Sequence, residues 1–459
     1  MKKIRITTVI LLAVTFLLSI AIMPELTSAK EASGSGYSIE QRYDKVSKEL
    51  VKIRGLKFKH KVPYSLRSKD YLRKFLVKSL KKELAGAKFK AYDITLKKFG
   101  FVPANFDTWN FLINLYTSEV AGLYDYNTHS MFLMKGKTSL PGMAKQEALM
   151  SQYGVSTGDV LLSHEMTHAL QDQYFNLKKL IGNAKKMQND DCENALLAVI
   201  EGDATVTMTY YMINTMGNSM GIDMSQMIDL SSMRDMMGEF SSHSGSKQFA
   251  NAPLFFKRSM LFPYLDGMVF VETLKKRGGW AMVNNAFRKP PRSTEQILHT
   301  ERYFMKDQPI LISWTKLPKN IGAWKCITEN SCGEFVTRTL FEHFLPNFDF
   351  VSIAEGWGGD RYRIYEKGNK SFLVWYTAWD RKQDAKEFMQ YYLKLLKKKY
   401  SNLVWIKTTP GKAYLGRIGK TNVYLGISGK SVVVMEDVPP SLMGKLMKQA
   451  WYVNMKRWN

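Results

Sequence analysis

Cysteine and histidine are scarce in this chain, three and seven among 459 residues. So few cysteines rule out a disulfide framework as the source of stability; an exported protein with few crosslinks remains. Acidic residues are in deficit, 41 against 66 basic ones, for a formal charge of +25. There is no internal repeat, no low-complexity tract and no recognisable nucleic-acid-binding motif. Beyond the amino terminus there is no second long apolar run, which excludes a multi-span membrane protein. At 45% hydrophobic and 13% aromatic the chain is globular rather than disordered, and long enough for more than one domain.

The amino terminus has a basic start (Lys2, Lys3, Arg5), an apolar stretch from Ile6 to Met23 and a small-residue exit at Thr27-Ser28-Ala29. This reads as a secretory signal over residues 1–29, cleaved after Ala29. An uncleaved membrane anchor is the alternative. No cysteine follows the stretch, which argues against a lipoprotein. Removing it takes away three bases and Glu25, a net of +2, so the mature chain carries +23. That surplus suits an anionic neighbourhood such as a cell-envelope surface, with nucleic acid the weaker reading.

The chemistry gathers in Leu161 to Asp172, LLSHEMTHALQD. His164 and His168 lie four apart, so on a helix they share a face and can reach one metal ion. Imidazole ligands with an open position for water point to Zn2+. Glu165 stands between them, placed to take a proton from that water as general base. The flanking residues Val160, Leu161, Leu162, Ala169 and Leu170 make this a buried helix, where unpaired histidines and a carboxylate are costly. A third ligand is expected from the next helical segment, Asp190 to Met212, where Glu201 follows an apolar run. Asp203 points roughly 200° away from Glu201 on that helix and cannot share the ion. Glu193, on nearly the same face as Glu201, is the fallback.

HEMTHALQD resembles the active-site helix of thermolysin-like, glutamate-ligand zincin metallopeptidases. The resemblance implies Glu201 as the completing ligand, Asp172 as a supporting acid after the second histidine, and a peptide or protein as substrate. More of the chain is similar to a largely uncharacterised group of secreted bacterial zinc-peptidase-like proteins. The blocks that carry this are GLYDYNTHSMFL (122–133), HEMTHALQDQ (164–173), EGDAT (201–205), PYLDG (263–267), PPRSTEQILH (290–299) and GWGGDRY (356–362). Thr205 departs from the pattern, standing where such sequences often place an acid one turn after the glutamate. Which residue orients His164 is then open.

The remaining pattern predicts an α+β molecule: an amino-terminal helical region (30–118), a mainly helical zincin-type catalytic domain with a β-hairpin (119–345) and a smaller α+β domain (350–459). Apolar spacing predicts helices at 37–55, 70–84 and, in parts, 94–115, broken near Gly100 and Pro103. Leu123 to Leu133 reads as a hairpin with a short polar turn, either a core hairpin or the edge strand that pairs with an extended substrate. His129, in its turn, reads as exposed. Met208, Met212, Met216, Met220 and Met224 read as an apolar helix face rather than a soft-metal site, interrupted at Gly217, Asn218 and Gly221. His243, in a polar loop, could visit the site. Cys326 and Cys332 bracket what reads as a short polar loop and could pair, leaving Cys192 as a buried thiol. His299 and Tyr303, four apart on a helix capped by Ser293 and Gln296, offer a catalytic donor to the developing oxyanion, with Glu295 holding the His299 ring. The functional expectation is a secreted zinc endopeptidase. Its rival is a non-catalytic, basic envelope-binding protein with a structural or relic zinc site.

Overall fold

The computed structural model describes residues 38–84, 86–119, 122–135, 150–223, 229–230, 234 and 247–458. The apolar amino-terminal stretch with its exit at Ala29, Met224 and the loop carrying His243 lie outside the described residues. Among the described residues no helix is long and apolar enough to cross a membrane.

The architecture is α+β. Helices α1 (Ile39–Arg54), α2 (Lys69–Glu83), α3 (Ala87–Phe99) and α4 (Thr108–Glu119) lead the chain. A Ser38–Gln41 capping box starts α1, and Gly55, left-handed at φ 70°, ends it. Gly100 at φ 82° ends α3. Strands β1 (Tyr64–Arg67), β2 (Gly122–Asp125) and β3 (Ser130–Met134) form a small sheet in the order β1-β3-β2. The expected hairpin is β2–β3, with β2 at the sheet edge.

Four helices follow: α5 (Thr157–Phe175), α6 (Leu177–Met187), α7 (Asp190–Met220) and α8 (Leu254–Arg288). Asn176 ends α5 in left-handed conformation and caps α6 by accepting from the Lys179 N–H. The expected interruption at Gly217 and Asn218 does not occur; α7 runs on to Gly221. Met208, Met212 and Met216 hold it there by filling a core with Met131, Met150 and Met166. The run called α8 is two helices joined at Gly278–Gly279, where Gly279 takes φ 61° and ψ −168°, a conformation open to glycine alone.

Short helices α9 (Thr294–Leu298) and α10 (Thr300–Phe304) and strand β4 (Ile310–Trp314) come next. An eight-stranded antiparallel sheet then begins at Asn320. Its strands β5 (Asn320–Ile321), β6 (Trp324–Asn330), β7 (Trp357–Lys367), β8 (Lys370–Trp379), β9 (Leu403–Thr409), β10 (Ala413–Ile418), β11 (Thr421–Ser428) and β12 (Ser431–Val438) lie in the order β5-β6-β7-β8-β12-β11-β10-β9. Helix α11 (Gly333–Phe344) falls between β6 and β7, and β13 (Val453–Arg457) pairs back with β4. A division at 345–350 therefore cuts through this sheet. One apolar core also crosses it: Phe99 of α3 meets the rings of Tyr362 and Trp375 edge-on at 5.3 and 5.4 Å. The cysteines are all free thiols. Cys326 lies within β6 and Cys332 beyond its end, at the start of α11, so the two do not bracket a loop.

What positions the site is the contact between α7 and α8. A Cβ on Gly202 would stand 2.2 Å from the Gly267 carbonyl oxygen, and one on Gly267 would stand 2.2 Å from that of Ala198. The two backbones touch with no room for a side chain, which explains a glycine in both EGDAT and PYLDG. Gly202 adjoins Glu201, so this contact sets how far α7 is turned at that carboxylate. Gly202→Ala or Gly267→Ala must push the helices apart, a cost of about 1–3 kcal/mol. Denaturant unfolding of the metal-free variants should show that loss; an unchanged midpoint would mean the helices separate freely.

Candidate metal centre

Helix α5 is buried from Gly158 to Asp172, so it carries His164, Glu165 and His168 into the interior. Helix α7 packs across it, buried around Glu201. Nε2 of His164 and Nε2 of His168 are 3.0 Å apart, and Oε2 of Glu201 is 3.2 Å from the first and 3.4 Å from the second. Ligands about 2.0–2.1 Å from a tetrahedral ion lie roughly 3.3–3.4 Å from one another. The three atoms already have nearly that spacing. Among the described residues they form the one converging group of metal-ligating side chains, and Glu193, Asp172 and Asp203 are not in it.

Charge leads to the same fit. Glu165 and Glu201 are 2% and 1% exposed. Arg54, the buried guanidinium of this region, is engaged by Asp203 at 2.8 Å. Oε1 of Glu201 and Nδ1 of His164 have no hydrogen-bond partner. A divalent cation among these three atoms would balance the Glu201 carboxylate. Without one the group holds a proton. Burial pushes His164 down to about 4, leaving a neutral ring. Burial also opposes charge on His168, but the Glu201 carboxylate outweighs it and raises that ring to about 9. Burial would raise Glu201, yet His168 and His164 hold it down at about 2.

The ring of His168 is oriented by a residue that sequence reasoning missed. Its Nδ1 lies 2.9 Å from Oε1 of Gln171. The Gln171 amide nitrogen donates to the Ile200 carbonyl at 2.9 Å and to Asp203 Oδ2 at 3.0 Å. Both of those are acceptors, so the amide cannot be flipped and its oxygen must face His168. Nδ1 then carries the proton and Nε2 is left for a metal. Asp172 does not take the supporting role implied for it. The hairpin draws it away: Oδ2 accepts from Tyr124 Oη at 2.8 Å and meets His129 Nδ1 at 2.7 Å, while Oδ1 caps the Leu177 N–H. His129 stands in the turn at φ 53° with 61% of its side chain exposed, away from the ligand group. The His164 ring lies 6.2 Å from that of Tyr264 with 27° between planes, and Thr205 Oγ1 makes no hydrogen bond.

His299 is not brought to this group. It falls at the joint between α9 and α10, at φ −125° and ψ 81°, so it and Tyr303 do not share one helical face. Its Nε2 bonds Glu334 of α11 at 2.9 Å. Glu295 pairs with Arg302 at 3.1 Å rather than with the His299 ring. Tyr303 Oη donates to the Lys289 carbonyl. Thr294 of α9 reaches Asp191, ten positions before Glu201 and about 15 Å along α7.

A proton on His168 must leave when a metal enters. Because that pKa is raised to about 9 and His164 is already neutral above about 4, binding should release about one proton between pH 5 and 8. Apparent zinc affinity should then rise about tenfold per pH unit over that window and level off above pH 9. Chelator competition across pH measures this. His164→Ala, His168→Ala and Glu201→Ala should each lose most of the bound metal; wild-type zinc content in Glu201→Ala would remove Glu201 from the ligand set.

A family model described as a domain of unknown function (DUF8575) matches residues 325–442, most of the eight-stranded sheet and its helices. No curated protein matches the chain. Among solved structures it is similar to one from Chloroflexus aurantiacus described as a "putative hydrolase with a novel fold", at 14% identity and a TM-score of 0.34. That likeness covers 60% of this chain and 92% of the other.

Proposed function

We propose that the chain is a metal-dependent hydrolase, a zinc endopeptidase of the glutamate-ligand type. The observation that supports this is the convergence of His164, His168 and Glu201 with the buried carboxylate of Glu165 on the same helix. Zinc held by those three residues supplies Lewis acidity toward a carbonyl and toward water. Three protein ligands suit a catalytic site, whereas a structural zinc is usually closed by four. Glu165 has no ligand role in this scheme. It takes the proton of the attacking water, holds it, and passes it to the departing amine. Strand β2, a buried edge of its sheet packed against α5, is the strand beside which an extended peptide would pair. Export through the segment ending at Ala29, and the excess of basic residues, suit an enzyme working beside an anionic cell envelope.

One observation favours the rival, a non-catalytic envelope-binding protein with a structural zinc. His164, Glu165 and Glu201 are almost wholly enclosed, at 0%, 2% and 1% exposure. Glu165→Gln separates the two readings, since it keeps the shape of the residue and removes the base. The variant should retain stoichiometric zinc while hydrolysis of an unfolded protein substrate falls by roughly 10²–10⁴-fold. The wild-type rate should vanish with a chelator and return with zinc. Equal turnover in the variant, or turnover insensitive to the chelator, would sink the peptidase reading.

A further inference from the structure

We infer that Gln171, Asp203 and Arg54 are positioning residues for the ligand His168, and that through them the amino-terminal helix α1 is part of the metal centre. This rests on reading His164, His168 and Glu201 as metal ligands.

The hydrogen bonds form one unbroken chain. His168 Nδ1 donates to Gln171 Oε1, and Gln171 Nε2 donates to Asp203 Oδ2. Arg54 donates to Asp203 from Nε at 2.8 Å and from Nη2 at 3.3 Å. Arg54 Nη2 also donates to Asn284 Oδ1 at 2.8 Å, and the guanidinium lies 4.5 Å from the centre of the Trp280 ring. Gln171, Asp203 and Arg54 are each at most 1% exposed. Every link has one permitted direction. A guanidinium only donates and a carboxylate only accepts, so Asp203 fixes which way the amide of Gln171 faces, and Gln171 fixes which nitrogen of His168 is free. Gln171 also binds the carbonyl of Ile200, the residue before Glu201. One side chain thus ties the ligand on α5 to the backbone that carries the ligand on α7.

Arg54 is the last residue of α1, and the segment it belongs to follows α5 along its length. Arg42 pairs with Asp159 at the start of α5, and Lys59 bonds Gln173 near its end. The carboxylate of Asp203 is therefore held from the amino-terminal segment, some 150 residues away in sequence.

The test is zinc affinity of the full mature chain by competition with a chromophoric chelator, with Co2+ absorption spectra as a probe of ligand geometry. Gln171→Leu removes both ends of the link, and the folded variant should bind zinc about 10–100-fold more weakly, the usual effect of losing a residue that orients a ligand. Gln171→Glu sets one carboxylate against another and should also weaken binding. Adding Asp203→Asn to Gln171→Glu keeps the net charge and lets the new amide donate to the new carboxylate. That double variant should regain part of the lost affinity and a Co2+ spectrum nearer to wild type, because the Ile200 carbonyl still faces a carboxylate oxygen and Arg54 Nη2 loses an acceptor. A merely structural link would predict lower stability in every variant with affinity unchanged. Zinc binding by folded Gln171→Leu within about twofold of wild type, or a double variant no better than Gln171→Glu, would overturn the proposal. Should Gln171→Leu fail to fold, the comparison between the double variant and Gln171→Glu decides. Wild type that takes up no zinc would instead overturn the ligand assignment, and this inference with it.

Discussion

A charge buried without a partner costs several kcal/mol, and breaking an existing buried pair costs about 3–5 kcal/mol. Helices α5 and α7 bury an unusual number of acids, so their surroundings are arranged around answering them. Asp159 is met by Arg42 and Lys45, Asp203 by Arg54, and Asp191 by the backbone and hydroxyl of Thr294. Those partners come from α1 and α9, distant in sequence. Glu201 alone in this set is answered by two imidazoles, groups that can exchange a proton for a metal ion. The acids that are paired with fixed cations thus build the frame, and the acid that is paired with exchangeable ones belongs to the group that could hold a metal ion.

The frame has to be accurate as well as neutral, because a ligand atom displaced by an ångström no longer reaches a shared ion. Two devices supply that accuracy here. Backbone contact at Gly202 and Gly267 fixes the separation and rotation of α7 against α8, with no side chain available to yield. The Gln171 amide then joins α5 to α7 at the level of His168 and Glu201. Both devices use groups of set shape, a backbone and a planar amide, rather than long flexible side chains. The carboxy-terminal sheet takes no part in the ligand group. It shares the apolar core, through contacts such as those of Phe99 with Tyr362 and Trp375, and supports the helices from behind.

Much of the site could be read from the chain because its code is local. Histidines four apart on a helix must share a face, and an apolar run around them says the face is buried. The elements with strong periodicity or glycine stops, such as α1, α5 and the strands after Arg361, fall close to where the pattern put them. The misplaced features share a cause. Whether the stretch from Cys326 to Asn330 is loop or strand depends on β7 pairing beside it. His299 falls at a break between two short helices because Glu334, from another helix, draws its ring aside. Gly217 stays helical because Met208, Met212 and Met216 on its helix are packed against Met131, Met150 and Met166. Each of these outcomes was decided by a partner remote in sequence.

The chain by itself thus determined the motif helix, the helical run that carries Glu201, the order of elements and the sign of the charge, all properties of neighbours within a few turns. Only the tertiary structure decided that Glu201 rather than Glu193 meets the two histidines, that Gln171 rather than Asp172 holds His168, and that Arg54 stands behind them. Asp172 and Gln171 are adjacent, and helical geometry places both near His168. Nothing local chooses between them. The choice is made by Tyr124 and His129 from the hairpin, which engage the acid, and by Asp203 from α7, which orients the amide.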